Sequence, residues 1–394
     1  MDYIKTFQEN RGINERVTAF SPQLPQKIGG GSDGGPDRGT PVPTGARLLD
    51  NGDIVFYVYA PGAKSIEVKV GRGRPPVCLS DSGGGRFEGT LKYDPVFAGP
   101  HTIHVNVNGI ETLNPYFPVW FAMNRPVNYI EVPDPETAQY ISLKKGVPHG
   151  TVAHEVFFSE TINDFLRCYV YTPPGYEKGG EYPVLYLQHG ATENETCWVH
   201  NGKAPYILDN LLAEGRAEAF IAVMNDGMVK APTDTGIDSF DGIEQIITLD
   251  CREFIEGKYR VNTDKWSRAI AGLSLGSMQA SYIGMRHPEL YGYIGVFSGF
   301  MRRRDNFNTY ELSEHLEAVR NYEKFALDYK LFFRSEGDLD RHFDEFLEDD
   351  EFCIKYGIDK IPGYVRRVYP GQGHEWGAWR RALYDFAQHV FKWE

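Results

Sequence analysis

Gly272-Leu273-Ser274-Leu275-Gly276 closes an apolar run that begins at Arg268, and a helix-like stretch follows at once. A serine with glycine two residues to either side, at a strand-to-helix junction, reads as a sharp turn whose backbone is strained at the serine. The glycines let neighbouring chain approach closely enough to hold it. Such a turn lifts the Ser274 hydroxyl out of the sheet and points the Leu275 amide, at the positive end of the new helix, toward whatever the hydroxyl attacks. The chemistry is nucleophilic attack on a carbonyl, if a base and an acid stand in the right places further along.

Both follow in the order Ser, acid, His. Leu331 to Asp340 reads as an apolar strand running into a loop of carboxylates, and Tyr364 to Trp376 as the next strand followed by Gly371-Gln372-Gly373-His374. His374 is expected to take the proton from Ser274 and return it to the leaving alcohol, while a carboxylate fixes its tautomer. Glu336, Asp338, Asp340 and Asp344 all fall in one acidic stretch. Those near the helix start can serve as caps; Asp340 is favoured as the acid, with Asp338 in reserve. The histidines at 101, 104, 149, 154, 200, 287, 342 and 389 lie in the wrong order, the wrong domain or on helices and are read as structural.

Tyr182 to Leu187 reads as a buried strand that ends in Gln188-His189-Gly190-Ala191. A loop there can set the Ala191 amide beside that of Leu275, giving two main-chain donors for a developing oxyanion. His189 is read as a turn-holding residue. Trp198 and Trp376 are candidates for the rim of an acyl pocket, since flat aromatic faces stack on a phenolic acid, with a place in the core as the alternative for either.

Leu187-Gln-His-Gly-Ala191, Trp198, Ile207 to Gly215, Val223-Met-Asn-Asp-Gly227, Tyr259-Arg-Val261, Arg268 to Gly276, His287-Pro-Glu-Leu-Tyr291 and Phe297-Ser-Gly299 together resemble the esterase D-like group, and within it the family 1 carbohydrate esterases, which include feruloyl and acetylxylan esterases. The resemblance covers about residues 150–394. It implies an α/β-hydrolase fold, a serine carboxylic-ester hydrolase without metal or organic cofactor, and Ser274, Asp340 and His374 as nucleophile, acid and base. The implied substrate is a hydroxycinnamate such as ferulate on plant cell-wall arabinoxylan fragments. An acetylxylan or siderophore ester, acyl transfer to a sugar, and a glycan-binding protein with an inactive esterase domain stand as alternatives. The chain departs from the group in carrying Ser277 where a further glycine is usual.

The elements needed to position these groups follow from the rest of the chain. With 394 residues and 14% aromatic content there is enough for two domains with real cores. A net charge of -13 gives no basic face for nucleic acid, and no apolar run is long enough to span a bilayer. The expected partners are a small-molecule or oligosaccharide ester, with a homodimer left open. Five cysteines without metal-ligand spacing argue against a zinc site or a disulfide framework. Met1 to Glu9 lacks the basic start and apolar core of a signal peptide, which points to the cytoplasm unless an export signal has been trimmed.

Residues 1–45 form an extension ending in a glycine- and proline-rich linker. From 46 to 135, short alternating strands at Ile54–Tyr59, Ser65–Val70, Gly85–Leu91 and His101–Val107, with Asn51-Gly52 and Asn108-Gly109 as turns, predict an immunoglobulin-like β-sandwich. This part resembles the early-set sandwich of family 48 carbohydrate-binding modules. Tyr116, Phe117, Trp120 and Phe121 could stack on sugar, though such clusters more often pack against the next domain. From 150 to 394, strands alternate with helices as a doubly wound sheet requires, including a helix over Ile243–Tyr259. Arg302, Arg303 and Arg304 could steer a carboxylate, or form a solvated run.

Overall fold

The computed structural model describes residues 45–71, 74–229, 231–233, 236–238, 241–299, 301 and 316–392. Of the extension and linker expected over residues 1–45, all but Gly45 lie outside them, as do Arg302, Arg303 and Arg304, while Gly45 already opens a strand. The chain divides into two compact units, Met1–Leu143 and Lys144–Glu394.

In the first unit, nine strands run β1 (Gly45–Leu48), β2 (Ile54–Tyr59), β3 (Ile66–Val70), β4 (Val77–Gly83), β5 (Arg86–Leu91), β6 (Gly99–Val107), β7 (Ile110–Thr112), β8 (Val119–Ala122) and β9 (Arg125–Val132). They pair antiparallel in the order β1-β2-β5-β4-β3-β6-β9-β8, with β7 on β6. Strand β2 alternates buried and half-buried residues, as a strand with one face on a core must. Phe56, Val58, Val68, Val105, Phe117 and Ile130 fill that core. Asn108 and Gly109 both have positive φ, 52° and 81°, which is the two-residue turn that joins β6 to β7. Of the proposed sugar platform, Phe117 is wholly buried in the sandwich and Trp120 stacks on Tyr129 with ring centres 4.4 Å apart. Their partners belong to the sandwich itself.

Among its described residues the second unit carries ten strands: β10 (Thr151–Ser159), β11 (Asp164–Thr172), β12 (Val184–Gln188), β13 (Ile221–Asn225), β14 (Ala231–Thr233), β15 (Gly236–Asp238), β16 (Arg268–Leu273), β17 (Tyr293–Phe297), β18 (Leu331–Gly337) and β19 (Tyr364–Tyr369). Eight of them form one sheet in the order β10-β11-β13-β12-β16-β17-β18-β19, while β14 and β15 pair separately. The β10-β11 hairpin is antiparallel and the six strands from β13 to β19 are parallel. This is the doubly wound α/β-hydrolase sheet. Every residue of β12, β13, β16, β17 and β18 is buried, because helices cover both faces. That explains why these strands read as unbroken apolar runs.

The helix expected over Ile243–Tyr259 widens in the middle: Ile246–Cys251 is a π-helical turn between Asp241–Gln245 and Arg252–Lys258. Thr248 returns its hydroxyl to the Glu244 carbonyl at 2.7 Å there. No helix among the described residues is long and apolar enough to cross a membrane. Parallel strands leave their carboxyl ends along one edge, and the loops after β12, β16, β18 and β19 all open there.

Candidate active site

Ser274 sits between β16 and the helix Leu275–Arg286 with φ 53° and ψ -118°, a conformation outside the regions side chains favour. The flanking glycines show what sustains it. A Cβ on Gly272 would overlap the Gly276 carbonyl, and one on Gly276 would overlap the His189 carbonyl. The Ser274 amide donates to the Phe297 carbonyl at 3.0 Å, tying the turn to the end of β17. Ser277, the departure from the usual glycine, donates its hydroxyl to the Ser274 carbonyl at 2.6 Å. Gly299 accommodates it, since any side chain there would collide with the Ser277 hydroxyl.

His374 reaches Ser274 from the loop after β19. Its Nε2 lies 2.9 Å from Ser274 Oγ and its Nδ1 lies 2.7 Å from Asp340 Oδ2. A carboxylate accepts at Nδ1–H, which leaves Nε2 as the acceptor for the serine hydroxyl. The loop can come this close because Gly337, at the end of β18, has no side chain where Gln372 passes. The Leu339 amide also donates to the Gln372 carbonyl at 3.0 Å. Trp379 and His342 stand edge-on to the imidazole with ring centres 5.2 Å away, fixing its plane.

Between the two acids weighed for this position, the geometry separates Asp340 from Asp338. Asp338 Oδ1 accepts from the Gly371 amide at 2.6 Å and so anchors the histidine loop by its main chain. Asp340 faces the ring itself, with its other oxygen on the His342 amide at 3.0 Å. Burial acts to raise its pKa, but the hydrogen bonds from His374 and Glu336, the nearby imidazole and the His342 amide outweigh that and hold it below the ordinary carboxylate value. One carboxyl oxygen each from Glu336 and Asp340 and a ring nitrogen of His374 lie within 4.8 Å of one another. Nδ1 and Asp340 Oδ2 are already joined by a proton, while neither Glu336 oxygen has a hydrogen-bond partner among the described residues.

The loop after β12 carries Ala191, and Leu275 opens the helix that follows Ser274. Among the described residues neither the Ala191 nor the Leu275 amide has a hydrogen-bond partner. The intervening amide is committed, since Gly190 donates to Glu193 Oε2 at 3.0 Å. A Cβ on Gly190 would lie 2.7 Å from Leu273 Cδ1 and 3.3 Å from Ser274 Cβ, so the loop presses directly on the turn. His189 holds it as expected. Its Nε2 accepts the Gly227 amide at 2.8 Å, so Nδ1 carries the proton donated to the Gly190 carbonyl at 2.8 Å.

The two tryptophans proposed as a pocket rim are elsewhere. Trp198 is 1% exposed, donates its indole N–H to the Gln188 carbonyl at 2.9 Å and packs edge-on to Phe297 and Trp376. Trp376 is 5% exposed and donates to Glu193 Oε1 at 3.1 Å. Both rings are buried against one another and their neighbours, as core residues are.

Glu193 and Trp379 were not singled out by the sequence, and Glu336 stood only among the four acids of its stretch. Only the fold shows that Glu336 is fully buried and Glu193 nearly so.

The esterase family profile matches residues 159–389. Endo-1,4-beta-xylanase/feruloyl esterase from Xylanibacter ruminicola is 33% identical over 345 residues, which is 86% of this chain and 44% of that protein. The chain spans less than half the length of the relatives it matches. Two solved structures share the fold. The CE1 ferulic acid esterase from Anaeromyces mucronatus, in complex with ferulic acid, has a TM-score of 0.55 at 23% identity and covers 64% of this chain and 94% of its own. The enterobactin esterase from Shigella flexneri has a TM-score of 0.61 at 13% identity and covers 86% of this chain and 92% of its own.

Proposed function

This chain belongs to the esterase family, and we propose that it is a serine carboxylic-ester hydrolase whose substrate is a hydroxycinnamate, such as ferulate, esterified to plant cell-wall polysaccharide fragments. The observation that carries the reaction is the continuous chain Ser274–His374–Asp340, with hydrogen bonds of 2.9 and 2.7 Å, ending at a hydroxyl flanked by two unpartnered amides.

In this reading Ser274 Oγ attacks the ester carbonyl as His374 Nε2 takes its proton. The carbonyl oxygen gains a negative charge that the Ala191 and Leu275 amides hold. The tetrahedral species collapses, the C–O bond to the sugar breaks, and His374 returns the proton to the departing alcohol. Water then enters, gives a proton to His374, and attacks the acyl-serine; collapse restores the Ser274 hydroxyl and releases the acid. Asp340 keeps the imidazole oriented and stabilises its cationic form without accepting its proton.

The ferulate assignment is supported by the Xylanibacter ruminicola relative, named endo-1,4-beta-xylanase/feruloyl esterase, which matches 86% of this chain. The test compares methyl ferulate, acetylated xylan and enterobactin as substrates for the wild type and for Ser274→Ala. Fastest release from methyl ferulate, abolished in the variant, is expected. Preference for either of the other esters would replace the substrate assignment, and unimpaired Ser274→Ala turnover would remove the mechanism.

A further inference from the structure

Glu336, the penultimate residue of β18, is fully buried, and neither of its carboxyl oxygens receives a hydrogen bond. An ionised carboxyl in that condition would carry the full cost of lost hydration with nothing in exchange. The group beside it is the Asp340 carboxyl, another pure acceptor when ionised. Two facing carboxyls inside a protein are compatible only if a proton lies between them. Asp340 already receives the His374 ring N–H at 2.7 Å and the His342 amide at 3.0 Å, so it is the member of the pair held as the anion.

We propose that Glu336 is a neutral acid in the working enzyme and donates its O–H to Asp340, acting as a positioning residue that keeps Asp340 charged and aimed at His374. This rests on the hydrolase reading above. Titration agrees with the geometry. Burial, then the proximity and charge of Asp340, push Glu336 up to about 11 against the opposing Arg334 guanidinium. The other titratable groups around this end of the chain are His374, and His342 with its neighbour Glu345 at the start of the following helix.

Sharing the Glu336 proton draws charge away from the Asp340 oxygen that faces the imidazole. Without it, Asp340 pulls harder on the imidazolium, so the acidic limb of the pH profile moves to higher pH. The experiment measures kcat, KM and the pH dependence of kcat/KM with methyl ferulate for the wild type, Glu336→Leu and Glu336→Gln. Glu336→Leu is expected to lose about tenfold to a hundredfold in kcat, the range for a hydrogen bond to a charged group, with little change in KM and with the acidic limb raised. Glu336→Gln keeps an N–H donor and is expected to restore most of that rate and the wild-type limb. A Leu variant with wild-type kcat and limb, or a Gln variant as slow as Leu, would overturn the proposal.

Infrared spectroscopy adds a readout independent of turnover. At pH 9, where Glu193 is ionised and Glu336 is not, the wild type should show a protonated-carboxyl C=O band that disappears in Glu336→Gln, and its absence also overturns the proposal. A wild type that shows the band but hydrolyses no ester would instead remove the hydrolase reading.

Discussion

Glu193 Oε1 accepts the indole N–H of Trp376 at 3.1 Å, so the loop carrying Ala191 is clamped to the helix that begins two residues after His374. Through its other oxygen the same carboxylate holds the Gly190 amide. The oxyanion loop and the histidine loop therefore share one buried anchor, and movement of either is felt by the other.

Glu193 should make stability depend on pH. Burial pushes its carboxyl up to about 7 from 4.5, against the nearby His189 ring, the Gly190 amide and the Trp376 indole. The folded state thus holds its proton longer than the unfolded state, and the contribution is fully present below the unfolded value and lost as pH rises to about 7. At 1.36 kcal/mol per unit this is about 3 kcal/mol. Urea unfolding of wild type and Glu193→Gln at pH values either side of that window should show the wild type losing about that much relative to the variant. A difference that stays constant with pH contradicts it.

Exchanging the two neighbouring acids should have unequal effects. Asp340→Asn forces the imidazole toward the wrong tautomer and is expected to lower kcat by roughly four orders of magnitude. Asp338→Asn keeps an oxygen for the Gly371 amide and should stay within about tenfold of wild type. Steady-state assays on one ester decide this, and equal losses would reassign the acid.

Gly276→Ala would force its new methyl group against the His189 carbonyl. The backbone of the oxyanion loop must give way, moving the Ala191 amide. A loss of about a hundredfold or more in kcat is expected from a displaced donor, with about 1–3 kcal/mol of destabilisation from overpacking. Parallel activity and denaturation measurements check both; a fully active, equally stable variant would show that the contact is not needed.

Trp198→Phe separates core from pocket. The variant leaves the Gln188 carbonyl without its indole donor, which should cost about 1–3 kcal/mol of stability. KM for aromatic and acetyl esters should shift together or not at all. A rise in KM confined to hydroxycinnamates would return Trp198 to the substrate.

Both unit types were legible from pattern, because a half-buried strand alternates and a strand covered on both faces does not. The nucleophile turn was legible because its strain must be relieved by glycine within a few residues. Asp340, the favoured acid, does meet His374, while Asp338 in the same loop turns to the Gly371 amide, a difference set by the turn after β18. Of the two readings for the tryptophans, pocket rim or core, the core reading is the one the fold gives, since the two rings are buried edge-on to each other.

The sequence by itself determined the strained Ser274 turn, the presence of a later acid and histidine in the right order, and the succession of strands that brings their loops to one edge. Only the tertiary structure decided that Asp340 takes the imidazole, that Glu336 and Glu193 are buried beside the chemistry, and that both tryptophans belong to the core. The physical reason is range. Backbone strain is settled by neighbours a few positions away, whereas His374 meets groups 34 and 100 positions distant, and their approach and burial exist only once the parallel strands are in register.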